Sequence, residues 1–356
     1  MTRWTLYVPV LALLVLAVSW GRDPGLALVI VIALALVGAV LAAVHHAEVV
    51  AHRVGEPFGS LVLAVAVTVI EVALIVTLMV SGGPETASLA RDTVFAAVMI
   101  TTTGVVGLSL LVGARRYHVV LFNAEGSGAA LATITTLAVL SLVLPTFTTS
   151  EPGPEFTAPQ LTFAALASLA LYAMFVLTQT VRHRDFFLPV SQGTSEEDEH
   201  APPPANRTAL ASLGLLLVSL VAVVGLAKVE SPAIEDAVAA VGFPPSFVGV
   251  VIALLVLAPE TLAAVRAASR GRIQTSLNLA YGSAMASIGL TIPVIALATI
   301  WLEGPLELGL GPTQLVLLAM TVVVSVLTIV PGRATRLQGG VHLVLLAAFL
   351  FLAVSP

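Results

Sequence analysis

The chain has 356 residues, of which 58% are hydrophobic and only 10% charged, and its mean hydropathy is +1.06. A soluble core cannot bury that much apolar surface, so composition excludes a water-soluble globular protein and predicts an all-α polytopic membrane protein. The net charge of −5 gives no reason to expect a nucleic-acid partner, and the lack of cysteine excludes disulfides, thiolate metal sites and cysteine nucleophiles.

Length and hydropathy predict eleven membrane spans, over residues 4–20, 26–47, 57–81, 93–113, 128–145, 160–181, 208–228, 245–268, 275–301, 313–331 and 341–354. The first could be confused with a signal peptide, since Arg3 precedes an apolar run from Trp4 to Trp20. That run ends in AVSWGRDPG, with no clear small-x-small cleavage site, and is read as a retained helix.

After the second span comes HHAEVVAHRVGE, which puts His45, Glu48 and His52 on one face of a helix end. Such a face can bind a metal or respond to pH, although the spacing is not HExxH; polar residues at the membrane interface are the favoured reading. Glu56 follows at the mouth of the third span. That span carries Glu71 deep inside, with Thr68 one turn before it.

The fourth span contains MITTTGVVG, with Thr101, Thr102 and Thr103 in a row. The fifth opens on FNAEGSG, where Glu125 either lines an inner vestibule or caps the helix. Residues 182–207 are rich in Pro, Ser and acidic residues and are expected to be a solvated cytoplasmic loop. Its EEDE run lacks the glycine turn and alternating ligands of a calcium-binding EF-hand.

The eighth span carries Glu260 directly after Pro259, and freed carbonyls are expected near Val256 and Ala258. The ninth carries Asn278, Ser283 and Ser287. Residues 229–244 are open to a short outer helix, and the outer loops are expected to hold Glu151, Glu155, Glu230, Glu235, Asp236, Glu303 and Glu307.

Charge sets the orientation. With the N-terminus in the cytoplasm, 12 of the 15 basic residues fall inside and 3 outside, a strong positive-inside bias. The 182–207 loop then divides ten of the spans five and five. An odd number of spans per half inserts the halves in opposite directions. The predicted organisation is an extra helix (1–25), a five-helix repeat (26–181), the acidic loop (182–207) and a second, inverted five-helix repeat (208–356).

The two glutamates stand in matched settings: Phe58 precedes Glu71 by 13 residues, and Phe247 precedes Glu260 by 13. An acidic side chain at bilayer depth costs about 2.5–3.5 kcal/mol on insertion scales, so a matched pair points to a site. No Arg, Lys or His sits centrally in any span to pair with them; His342 lies near a helix end.

Oxygen ligands alone favour Ca²⁺, Na⁺ or K⁺ over soft metals. Thr68, Thr102, Thr103, Asn278, Ser283 and Ser287 are candidates to complete a shell around Glu71 and Glu260. A carboxyl held out of water takes either a proton or a cation, and this exclusivity is the core of antiport. A cation channel using the glutamates as a selectivity constriction is the alternative. An enzyme fits poorly, because no HExxH, GxSG-type or nucleotide-binding motif is present, and no cofactor is expected beyond the transported ion.

The blocks GEPFGSLVLAVAVTVIEVALI, RDTVFAAVMITTTGVVGLSLLVGARR, FNAEGSGAALATITTLAVLSLVLPTF, VGVVIALLVLAPETLAAVRAA and NLAYGSAMASIGLTIPVIAL resemble the calcium/cation antiporter superfamily, within it the cation/proton exchanger branch and its bacterial calcium/sodium–proton members. The resemblance covers nearly the whole chain. It implies a bacterial inner-membrane antiporter that exports cytoplasmic Ca²⁺, or Na⁺ or K⁺, in exchange for protons, with a monovalent Na⁺/H⁺ antiporter as the variant on the same fold. It implies that Glu71 and Glu260 are the central cation and proton ligands and that Gly282–Ser287 is the partner helix of the second repeat. The family's first-repeat Gly-Asn-Ala-Thr-Glu reads AVTVIE here, and an Asn common in the next helix is replaced by Thr101–Thr103.

Overall fold

Runs rich in Leu, Val, Ala and Ile leave the backbone no partner in a bilayer except itself, so these stretches become helices. The computed structural model describes residues 3–22, 24–55, 58–82, 86–190, 204–301 and 304–355. Among them are ten helices long and apolar enough to cross a membrane. The expected first span is a helix of 17 residues, α1 (Arg3–Ser19), and is shorter than the rest. The last, expected as the short stretch 341–354, is a full helix that starts at Arg336. The chain divides into two compact units, Met1–Leu89 with Glu199–Val248, and Ala90–Asp198 with Gly249–Pro356.

The first unit is helical: α1, α2 (Leu26–Val54), α3 (Phe58–Gly82) and α9 (Asn206–Ala240). Helix α2 buries Ile32, Leu36, Ala39, Val40 and Ala43, a stripe at helical spacing. Small residues let neighbours approach closely in apolar surroundings. Gly225 of α9 has Leu16 of α1 directly against its Cα, and Gly38 of α2 faces Val8. His46 Nε2 lies 2.8 Å from the Thr5 carbonyl, tying α2 to α1. Helix α9 continues through Pro232, which is exposed, so residues 229–240 extend the span rather than forming a separate outer helix.

The second unit starts with α4 (Leu89–Met99), a π turn (Ile100–Val105) and α5 (Val106–Tyr117), together one buried rod. It continues with β1 (Val119–Leu121), α6 (Ala124–Ala138), a second π turn (Val139–Val143), α7 (Leu144–Phe147) and α8 (Ala158–Leu177). After the first unit's α9 come α10 (Phe247–Ser269), α11 (Ile273–Ala298), α12 (Pro312–Ile329), β2 (Arg333–Thr335) and α13 (Arg336–Val354). The two strands pair antiparallel, Val120 opposite Ala334. An isolated bridge joins Glu155 to Glu307.

These pairings are reciprocal. The loop after the first half's third span meets the loop after the second half's fourth, and the loop after the first half's fourth meets the loop after the second half's third. The helix packing repeats the relation: α13 lies on α5 and the first π turn, and α8 lies on α11. Glycines mark both crossings, with His342 and Leu346 against Gly107 and Gly104 on one side, and Tyr172 against Gly289 on the other.

Candidate cation-binding site

In the first unit, Glu71 lies in the middle of α3 and is 2% exposed; Thr68, one turn earlier, is also buried. An i, i+3 pair shares a helix face, so carboxylate and hydroxyl stand side by side. Glu56 lies outside the described residues, as do residues 191–203 with the EEDE run.

In the second unit, Glu260 is half-buried in α10. The helix runs unbroken from Phe247 to Ser269 through Pro259. The amide that Pro259 lacks would have reached the carbonyl four residues back, at Leu255, not at Val256 or Ala258. Gly249, near the start of α10, rests directly on the Asp92 and Thr93 backbone of α4.

Thr101, Thr102 and Thr103 are fully buried in the first π turn. Their hydroxyls donate to carbonyls one turn back: Thr101 to Ala97 at 2.7 Å, Thr102 to Val98 at 2.6 Å, and Thr103 to Met99. Back-bonding of this kind loosens the helical ladder, and an inserted π turn widens it. With its proton engaged, each hydroxyl oxygen keeps lone-pair capacity for a cation.

Helix α11 packs against this turn and carries Ser287 (buried) and Ser283 (half-buried). Asn278, also on α11, belongs to a different cluster. Its Oδ1 accepts from Gln274 Nε2 at 2.9 Å, and its Nδ2 donates to the Phe187 carbonyl at 2.7 Å. Gln274 Oε1 in turn accepts the Asn123 backbone N–H at 2.7 Å. Both functional groups of Asn278 thus bind protein, in a network that joins α11 to the start of α6 and the segment after α8.

Other candidates take structural places. Asn123, not Glu125, caps α6: its side chain accepts from the Glu125 and Gly126 amides, while Glu125 is exposed. His45 approaches Glu48 at 3.9 Å, and His52 is exposed. Among the described residues no three His, Cys, Asp or Glu side chains converge in a way that could hold a metal ion.

Three features escaped the sequence reading. Glu230, expected in an outer loop, is 4% exposed within α9. His342, expected near a helix end, is completely buried in α13, because that helix starts five residues earlier than the hydropathy run. Arg91 and Asp92 form a buried fork, with Nε to Oδ1 at 2.9 Å. Arg91 also donates to the Gly309 carbonyl, and Gln314 donates to Asp92.

A family model described as "Sodium/calcium exchanger protein" matches residues 24–181 and 211–355. The chain belongs to this exchanger family. The match leaves α1 outside and breaks across the Pro-, Ser- and acid-rich loop. The chain is 45% identical to the putative ionic transporter y4hA of Sinorhizobium fredii, over 99% of this chain and 96% of that one. It is 36% identical to the sodium-potassium/proton antiporter ChaA of Escherichia coli, over 97% and 94%. Among solved structures, native YfkE superposes with a TM-score of 0.72 at 18% identity, covering 99% of this chain and 98% of that one, and shares the fold. Glu71 in α3 lies within the first matched block, and Glu260 in α10 within the second.

Proposed function

We propose that this exchanger is a cation/proton antiporter of the bacterial inner membrane, with its N-terminus in the cytoplasm. It exports cytoplasmic Ca²⁺, or Na⁺ or K⁺, in exchange for protons at a site built on Glu71 and Glu260. The observation that carries the reading is the placement of Glu71, 2% exposed within an apolar helix with the Thr68 hydroxyl on the same face. A carboxylate there is too costly to keep bare. It is neutralised either by a proton or by a cation, and the two exclude each other. Glu260 supplies the second carboxylate, and the Thr101–Thr103 run with Ser283 and Ser287 supplies neutral oxygens. Hard oxygen donors suit Ca²⁺ and the alkali cations.

The relatives support the choice of ions. The family description names sodium and calcium, and ChaA is described as a sodium-potassium/proton antiporter. Exchange would proceed by alternating access to a fixed site, as inverted repeats permit.

The test uses everted vesicles with a preset acid-inside gradient, to which Ca²⁺, Na⁺ and K⁺ are added separately. Collapse of the gradient by at least one cation, lost in both Glu71→Gln and Glu260→Gln, is the expected result. Full exchange in either variant would sink the two-glutamate site. Cation flux without proton counterflow would favour a channel.

A further inference from the structure

Within the second unit, His342 reaches from α13 to the π turn that carries the three threonines. Its Nδ1 lies 2.9 Å from the Thr102 carbonyl oxygen, and its Nε2 lies 3.1 Å from the Thr328 hydroxyl of α12. A carbonyl only accepts, so Nδ1 carries a proton; the one proton of the Thr328 hydroxyl is shared between the Val324 carbonyl at 2.9 Å and the neutral ring's Nε2.

The partner on the π turn is specific. The Val106 amide reaches the Thr101 and Thr103 carbonyls, one on each side of Thr102. Those bonds step over the Thr102 carbonyl, and the imidazole meets it instead. The two elements cross closely here: the His342 Cβ lies against Gly107, where any side chain would meet His342 and Leu343 at about 3.0 Å. A wide turn is less stable than the α-helix around it, so an element that persists needs an outside contact to hold it. Here that contact comes from the last helix of the chain.

We propose that His342 is a positioning residue for cation binding: its Nδ1–H holds the Thr102 carbonyl and thereby fixes the π turn, and with it the directions of the Thr101, Thr102 and Thr103 oxygens. This rests on the reading that the threonine run contributes to the cation site. Without the imidazole the turn is free to relax toward α geometry. That would rotate the following residues of the rod and shift the threonine oxygens relative to the ion. The consequence is weaker binding and altered discrimination among cations, more than a loss of maximal rate.

The test has two arms. The first measures KM and maximal rate for Ca²⁺, Na⁺ and K⁺ in proteoliposomes of wild type, His342→Leu, His342→Asn and Thr328→Val. Leucine cannot donate to Thr102, whereas the asparagine amide can. The expected result is a KM raised roughly tenfold in His342→Leu, as loss of a buried hydrogen bond implies. The order of preference among the cations should change as well, with most of the loss restored in His342→Asn and little change in Thr328→Val. The second arm needs no transport. Nitrogen-15 NMR of histidine-labelled wild type in nanodiscs should show the His342 ring protonated at Nδ1, with His342→Asn identifying the resonance.

A folded His342→Leu with wild-type KM and cation order would overturn the proposal. So would a raised KM in His342→Asn equal to that in His342→Leu, or a ring protonated only at Nε2. If His342→Leu fails to fold, the His342→Asn kinetics and the wild-type resonance decide. A wild type inert toward all three cations would instead overturn the proposed function. A working wild type with an insensitive His342 would overturn this inference alone.

Discussion

Gln274 Nε2 donates to Asn278 Oδ1 at 2.9 Å, one turn apart on α11, and the pair bridges to the Phe187 carbonyl and the Asn123 amide. An amide pair at i, i+4 shares a helix face. Its outer bonds join three segments distant in sequence. Asn278→Ala would leave Gln274 and the Phe187 carbonyl each short of a bond, at about 1–3 kcal/mol for each buried group left unsatisfied. Thermal unfolding in detergent should show Asn278→Ala and Gln274→Ala each markedly less stable than wild type. The double variant should lose less than the sum, because the two residues share one network. Strict additivity would show that they act separately.

The threonine run gives a sharper prediction about ions. Valine keeps the shape of threonine and removes only the hydroxyl. Thr102→Val and Thr103→Val should fold, since each hydroxyl merely back-bonds to its own helix. If those oxygens contact the ion, KM for the transported cation rises roughly tenfold per lost ligand, the scale of one hydrogen-bond-like contact. Vesicle assays titrating each cation would show this, and unchanged KM in both variants would remove the run from the site.

Close helix crossings predict which glycines tolerate no side chain. A methyl on Gly289 would meet Tyr172 at 2.8 Å, and one on Gly249 would meet the Thr93 backbone at 2.8 Å. Neither contact can give by side-chain rotation alone: the nearest atom at Gly289 is the Tyr172 Cβ, fixed to the α8 backbone, and at Gly249 it is α4 backbone. Overpacking costs about 1–3 kcal/mol. Gly249→Ala and Gly289→Ala should therefore each destabilise the protein in chemical or thermal unfolding. Wild-type stability in either variant would mean that the helices at that crossing shift readily.

The Arg91–Asp92 fork is the buried charge pair of α4. Removing Arg91 strips a buried carboxylate of its guanidinium, which costs about 3–5 kcal/mol where no other group compensates. Gln314 remains to donate to Asp92, so a loss toward the lower end is expected for Arg91→Ala. Arg91→Ala with Asp92→Asn should recover part of it. A double variant as unstable as Arg91→Ala would show that the loss comes from the contacts of Arg91 to Gly309 and Glu307 instead.

Much of this protein was legible in the chain. Long apolar runs must become helices, because a bilayer offers the backbone no other partner. The span positions follow from that alone, and the cost of a carboxylate in such a run marks Glu71 and Glu260 without any structure. Local rules also place a helix start at FNAEGSG, although they leave open whether Glu125 lines a vestibule or caps that helix; the cap is Asn123.

Packing decided the rest. Hydropathy placed His342 at a helix edge, because Arg336, Gln338 and the paired glycines before it dilute the apolar signal; the fold starts the helix there and buries the imidazole. Hydropathy ends the seventh span at residue 228 and leaves Glu230 in an outer loop, yet the helix carries on through the exposed Pro232. No periodicity announces a π turn or the pairing of Val119–Leu121 with Arg333–Thr335, since each depends on a partner more than 200 residues away. The sequence by itself determined where chain and membrane meet and where charge is costly, which are properties of single segments in a solvent. Only the tertiary structure decided which oxygens remain available and which are already bonded, because a hydrogen bond is a property of two segments brought together.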